Sequence, residues 1–413
     1  MSEPSETYFR KGLGAGAMVQ GELDAAYADA LVDRLRANDN RLVVGDLTIR
    51  LAKEFGFCYG VERAVDYAYQ ARRRFPDRRL WLLGEIIHNP HVNARLRDLG
   101  IEVMEPRANA TDGTPRFAYD AVGAMDVVIL PAFGVTHADF QALRGHGCVV
   151  VDTTCGSVLN VWKRVEQYAR DGRTALIHGK WYHEETRATA SQVLKYPGGQ
   201  YLVVRDMSEA EVVMAYLTDL ARQGHGDRDA FMARFAKAVS PGFDPDVHLR
   251  RIGVANQTTM LAKESLAIGE RVGQAMEAAF GAEYRADAFR TFDTICSATQ
   301  DRQDAVLELL RERPDVMIVV GGFNSSNTIS LAALCAEHVP TYHIEDAEGI
   351  DPVARRLHYR VAGVAHVEAD AEGWLPAGRV TVGITAGAST PNNKIGAAVA
   401  RILATRGEGV PGT

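Results

Sequence analysis

The feature that most constrains this chain is a recurring short run of β-branched and other apolar residues with no polar alternation. It appears at Leu80–Leu83, Val127–Leu130, 148–152, 174–177, Tyr201–Val204, Val316–Val320 and 380–384. A strand with one wet face alternates apolar and polar residues, whereas a strand buried on both faces does not. Between these runs lie stretches with helical periodicity, such as 61–73, 158–170 and 302–311. Strand, helix, strand in repetition predicts an α/β fold with mostly parallel sheets. At 413 residues, the chain is long enough for two or three domains.

The charge balance narrows the partners. The formal net charge is −7 and no basic stripe is present, which argues against a nucleic-acid partner. No apolar stretch approaches the roughly 18–20 residues of a spanning helix, and the acidic balance argues against binding anionic membranes. The first 45 residues carry Glu3, Glu6, Glu22, Asp24, Asp29 and Asp33, unlike an acid-poor transit peptide, so a cytoplasmic setting is expected. Residues 21–37 read as one amphipathic helix. The more polar region 206–251, broken by Ser240-Pro-Gly-Phe-Asp-Pro, reads as a helical elaboration, and the glycine-rich tail after Arg401 as frayed.

Five cysteines, an odd number without a CxxC pair, point away from disulfides and zinc ribbons. Three of them share a setting. They are found in Phe55-Gly-Phe-Cys58-Tyr-Gly-Val, Val151-Asp-Thr-Thr-Cys155-Gly-Ser and Phe292-Asp-Thr-Ile-Cys296-Ser-Ala, each between an approach segment and a helical pattern. A helix N-terminus favours thiolate over thiol, and small neighbours let the backbone approach a ligand. Cys148, in a strand-like run, and Cys335, within a helix, read as core. The pattern alone leaves two readings open for the trio, buried structural cysteines or ligands of a shared metal centre.

Two polar turns follow strands. Gly321-Gly-Phe-Asn-Ser-Ser-Asn327 follows Val316–Val320, and Gly383-Ile-Thr-Ala-Gly-Ala-Ser389-Thr-Pro follows the last apolar run, with Pro391 suited to a first helical turn. Turns of this kind either cap helices or cradle phosphate. His88, before Asn89-Pro90, and His183, before Glu184-Glu185, stand at further helix starts. Thr258, in Asn256-Gln-Thr-Thr, follows another apolar stretch.

Together these segments closely resemble the hydroxymethylbutenyl diphosphate reductase (LytB/IspH) family, from about Tyr8 to about Ala398. The resemblance rests on Glu54-Phe-Gly-Phe-Cys-Tyr-Gly-Val-Glu-Arg-Ala-Val, Asp293-Thr-Ile-Cys-Ser-Ala-Thr-Gln-Asp-Arg-Gln, Asn324-Ser-Ser-Asn and Thr385-Ala-Gly-Ala-Ser-Thr-Pro. It implies a trefoil of three α/β units around a central iron–sulfur cluster. The expected divisions are an N-terminal extension (1–46), units at 47–150, 151–290 and 291–398 carrying Cys58, Cys155 and Cys296 respectively, and a tail (399–413).

The resemblance further implies one [4Fe–4S] cluster held by Cys58, Cys155 and Cys296, with one iron left open for an allylic hydroxyl. His88, His183, Ser325, Ser326, Asn327 and Ser389 would hold a diphosphate. Glu185 would supply protons and Thr258 would orient the hydroxyl. Electrons would come from ferredoxin or flavodoxin. The implied reaction is two-electron removal of the hydroxyl from an allylic diphosphate.

Two departures stand out. Many bacterial members read Ala-His-Gly where this chain has Pro131-Ala-Phe133-Gly, and His-Pro-Glu where it has His183-Glu184-Glu185. Both resemble the longer plant and cyanobacterial branch. A dehydrating iron–sulfur enzyme without net reduction, an iron–sulfur sensor and a cluster-free phosphate binder are the alternatives that residues alone leave standing.

Overall fold

The computed structural model describes residues 7–107, 113–364 and 366–410. The acidic residues Glu3 and Glu6 and the last three positions of the tail, 411–413, lie outside the described residues. The described chain divides into two compact units. One is built from the N-terminal residues to Lys11, Phe75–Ile86 and Gly100–Cys296, and the other from Gly12–Arg74, Ile87–Leu99 and residues 297 onward.

The first unit holds two sheets. In the five-stranded sheet the order is Tyr8–Phe9, Val149–Asp152, Val127–Leu130, Leu80–Leu83, Ile101–Met104, every pairing parallel. In the four-stranded sheet the order is Phe289–Thr291, Ile252–Asn256, Thr174–His178, Tyr201–Val204, again all parallel. All five residues of Thr174–His178 and of Ile252–Asn256 are buried, as the unbroken apolar runs require.

The second unit holds one eight-stranded sheet. Its centre is parallel: Thr341–Ile344, Val316–Val320, Val380–Ala386 and Leu47–Leu51. Its margins are antiparallel, with Arg41–Val44 on one side and Ile350–Asp351, Arg356–Arg360 and Glu368–Glu372 on the other. The α/β class with mostly parallel sheets is thus the architecture of the chain.

Several local expectations are corrected. Residues 21–37 form two helices, Gly16–Tyr27 and Ala30–Ala37, because the Asp29 carboxylate takes the N–H groups of Leu31 and Val32 (2.8 and 3.0 Å) and starts a new helix. The tail does not fray at Arg401, since the helix Asn392–Thr405 continues with Ile402 and Leu403 buried. Pro391 caps that helix from outside its first turn. Cys148 lies just ahead of its strand, still buried.

The continuous segment 47–150 is shared between the units. Its first strand, Leu47–Leu51, pairs with Val380–Ala386 from the far end of the chain. Residues 206–251 form the helices Met207–Gln223, Arg228–Phe235 and Pro245–His248. They close the core of the four-stranded sheet, where Phe231, Phe235 and Phe243 pack with Leu202 and Val203. No helix among the described residues is long and apolar enough to cross a membrane.

Candidate functional site

Each of the three singled-out cysteines precedes a helix: Tyr59–Arg74 after Cys58, Gly156–Arg170 after Cys155 and Ser297–Arg311 after Cys296. Their shared entry has a physical basis. In both Asp-Thr-x-Cys segments the aspartate accepts the N–H two residues on, Asp152 from Thr154 (2.9 Å) and Asp293 from Ile295 (3.0 Å). This Asx turn bends the strand exit so that the cysteine meets the helix start. The three thiols are half-buried, whereas Cys148 and Cys335 are buried, and no disulfide joins any of the five. Burial pushes the Cys335 thiol up to about 12, and burial, with the Asp126 charge adding to it, raises Cys148 as well, so both stay protonated. The donor set therefore separates into three thiols at helix N-termini, suited to an anionic iron–sulfur centre, and two inert core thiols.

In the first unit, the predicted residues form a continuous line of contacts from Cys155 to Cys296. The Cys155 N–H donates to the Ala132 carbonyl (2.9 Å). The next residue, Phe133, meets the His183 ring edge-on, with centroids 5.8 Å apart. His183 caps the helix Glu184–Val193, its Nδ1 accepting the Glu185 N–H at 3.1 Å. With Nδ1 used as an acceptor, the neutral ring carries its proton on Nε2 and can donate there. The Glu185 carboxylate accepts the Thr258 N–H (2.6 Å) and hydroxyl (3.0 Å). The Cys296 N–H then donates to the Thr258 carbonyl at 3.4 Å. Glu185, Thr258 and His183 are all buried.

The two hydrogen bonds from Thr258 offset part of the cost of burying this carboxyl. Sequence reasoning missed Gln257, whose side-chain oxygen accepts from the Thr186 hydroxyl and the Lys180 N–H (3.0 and 3.2 Å) and fixes the loop before Thr258. The aromatic contact of Phe133 was also unreadable, since nothing in the sequence pairs residues fifty positions apart.

In the second unit, parallel pairing of Val316–Val320 with Val380–Ala386 brings both polar turns to the same end of the sheet. There a second line of contacts runs from Cys58 to His88. The Cys58 N–H donates to the Ala388 carbonyl (3.2 Å), and the Ala388 N–H donates to the Asn327 side-chain oxygen (2.9 Å). The Ser389 hydroxyl lies 3.3 Å from that of Ser325 and 3.2 Å from the His88 carbonyl. Ser325 caps the helix Ser326–Ala336. Ser325, Ser326, Asn327 and Ser389 are buried, while His88 is half-buried.

Asn89 was missed as a member, although the Asn-Pro helix start signalled it. It caps Pro90–Asp98 and donates to the Ser389 carbonyl at 2.8 Å. Gly322 leaves room for this packing, because a Cβ there would lie 2.7 Å from the His88 carbonyl oxygen. The groups gathered here are hydroxyls, amides and helix N-termini, donor types suited to phosphate oxygens.

Comparison with known proteins bears on this geometry. The LytB protein family profile matches residues 49–403. The 4-hydroxy-3-methylbut-2-enyl diphosphate reductase of Thermosynechococcus vestitus is 46% identical over 403 residues, covering 97% of this chain and 96% of its own. Its namesakes from a Synechococcus strain and from Gloeothece citriformis are 45% and 43% identical over similar spans. A solved structure of (E)-4-hydroxy-3-methyl-but-2-enyl diphosphate reductase, described as the terminal enzyme of the non-mevalonate pathway, matches with TM-score 0.50. It is 27% identical and covers 86% of this chain and 98% of its own. The Plasmodium falciparum reductase structure, at 19% identity and TM-score 0.58, shares the fold over 84% of this chain and 85% of its own.

Proposed function

The chain belongs to the LytB family, and from that premise we propose that it is a 4-hydroxy-3-methylbut-2-enyl diphosphate reductase, an iron–sulfur enzyme acting at the last step of non-mevalonate isoprenoid synthesis. It removes the allylic hydroxyl of its substrate with two electrons and two protons. The products are water and isopentenyl or dimethylallyl diphosphate. The observation that carries this reading is the pair of contact lines, each running from ligand-type cysteines to buried polar groups.

Cys58, Cys155 and Cys296 would hold one [4Fe–4S] cluster with one iron open. Bound there, it supplies electrons and a Lewis-acid site for a poor leaving group. Ser325, Ser326, Asn327 and Ser389, with His88 and His183, would hold the diphosphate through neutral donors. His183 suits this because Nδ1 caps a helix as an acceptor, which puts the proton of the neutral ring on Nε2. Glu185 would hold a proton at Oε2 and pass it across 3.0 Å to the Thr258 hydroxyl, whose own proton goes to the departing oxygen. A proton from solvent water, taken up after product leaves, restores Glu185. Ferredoxin or flavodoxin would deliver the electrons.

The test is a serine series made and purified without air. Cys58→Ser, Cys155→Ser and Cys296→Ser should each lose most bound iron and sulfide. Cys148→Ser and Cys335→Ser should keep both. Wild-type iron and sulfide in any of the first three would remove that cysteine from the ligand set.

A further inference from the structure

The turn at 321–323 leads into Ser325, Ser326 and Asn327, and a group outside the site described above grips it. His343 is 1% exposed, and its Nε2 lies 2.8 Å from the Gly321 carbonyl oxygen. Burial lowers this imidazole to about 4, so at neutral pH it is uncharged. Facing a carbonyl, Nε2 must carry the ring proton and donate it. The ring also meets Phe323 edge-on, with centroids 5.1 Å apart at 89°.

Arg360 stands directly opposite His343 in the antiparallel pairing of Thr341–Ile344 with Arg356–Arg360. It is 9% exposed, donates from Nη1 to the Phe323 carbonyl (2.5 Å) and sets its guanidinium 4.8 Å from the centre of the Phe323 ring. One cross-strand pair therefore holds the first and last carbonyls of the turn and its aromatic side chain.

The turn has little freedom elsewhere. Gly321 has φ +146°, and a Cβ there would lie 2.5 Å from the Thr390 hydroxyl. The Ser325 N–H closes back on the Gly322 carbonyl at 2.9 Å. A shift of residues 321–323 is thus passed directly to the three donors that follow.

We propose that His343 and Arg360 are positioning residues for the diphosphate cradle, clamping the turn that aims Ser325, Ser326 and Asn327. The proposal rests on the reading of those three residues as diphosphate donors. Neither His343 nor Arg360 touches substrate in this account. They act on how well the cradle fits its anion before reaction, so their loss should appear in binding rather than in turnover.

The experiment uses cluster-loaded enzyme under anaerobic conditions, with inorganic pyrophosphate as the binding probe. His343→Leu removes the donor while preserving bulk, and His343→Gln restores a donor at similar reach. Arg360→Met, which keeps the length of the side chain without a donor, is the second variant should His343→Leu fail to fold. Ser325→Ala reports on the cradle itself. In His343→Leu and Arg360→Met, KM and the inhibition constant of pyrophosphate should rise together by about tenfold, as expected for one buried acceptor left unpaired. The visible absorption should be unchanged and kcat should hold to within about threefold, with most of the loss recovered in His343→Gln. Unchanged KM and inhibition constant in both clamp variants, with Ser325→Ala raising them, would overturn the clamp alone. A fall in kcat at unchanged KM would do the same. If Ser325→Ala also changed neither constant, the cradle reading would fall and the clamp with it.

Discussion

At Glu185 both carboxyl oxygens accept from Thr258, one from its backbone N–H and one from its hydroxyl. Such a pair keeps its geometry whether the carboxyl is charged or protonated, which is what a proton donor requires. Glu185→Gln retains an oxygen for the Thr258 N–H and loses only the transferable proton. The expected outcome is normal iron and sulfide content with kcat reduced on the order of 100-fold or more, measured as anaerobic single-substrate turnover. Wild-type kcat in this variant would remove Glu185 from the proton path. At this scale the sequence was informative where residue type and local setting coincide, as at His183, Ser325 and the three helix-leading cysteines. It was silent where function depends on contact between distant residues. Phe133 against His183 and His343 beneath Gly321 are visible only after the strands pair.

Among the elements, Leu80–Leu83, Val127–Leu130, Tyr201–Val204 and Val316–Val320 were legible to the residue from their unbroken apolar runs, whereas the runs 148–152, 174–177 and 380–384 gave strands whose ends differ by one or two residues. The margins were not legible. Glu368–Glu372 reads Glu-Ala-Asp-Ala-Glu and pairs at the margin, where its alternation sets only alanines inward and gives no apolar run to mark a strand. The N-terminal helices failed for another reason. Asp29 falls inside a plausible helical period, and only its capping bonds reveal a break. It also fits closely over Gly396, where a Cβ would lie 2.2 Å from its carboxyl carbon. Asp29→Ala should therefore cost about 1 kcal/mol in stability, read as a lower urea midpoint, with KM unchanged. An unchanged midpoint would mean that the cap contributes nothing to the fold.

For the whole molecule, the α/β class followed from the alternation of runs, but membership of each sheet did not. Leu47–Leu51 lies beside Leu80–Leu83 in sequence and pairs instead with Val380–Ala386, since parallel pairing is set by packing over the entire chain. That pairing closes one contact line from Cys58 to His88, while the first unit closes the other from Cys155 to Cys296. The reaction proposed for the chain is reductive dehydroxylation. The most direct test mixes anaerobic, cluster-loaded protein with 4-hydroxy-3-methylbut-2-enyl diphosphate and a dithionite-reduced viologen, and follows mediator oxidation against product. The account requires two electrons consumed for each substrate converted to isopentenyl or dimethylallyl diphosphate. Substrate loss without mediator oxidation would instead reveal a dehydration without net reduction, and absence of conversion by cluster-loaded protein would contradict the assignment altogether.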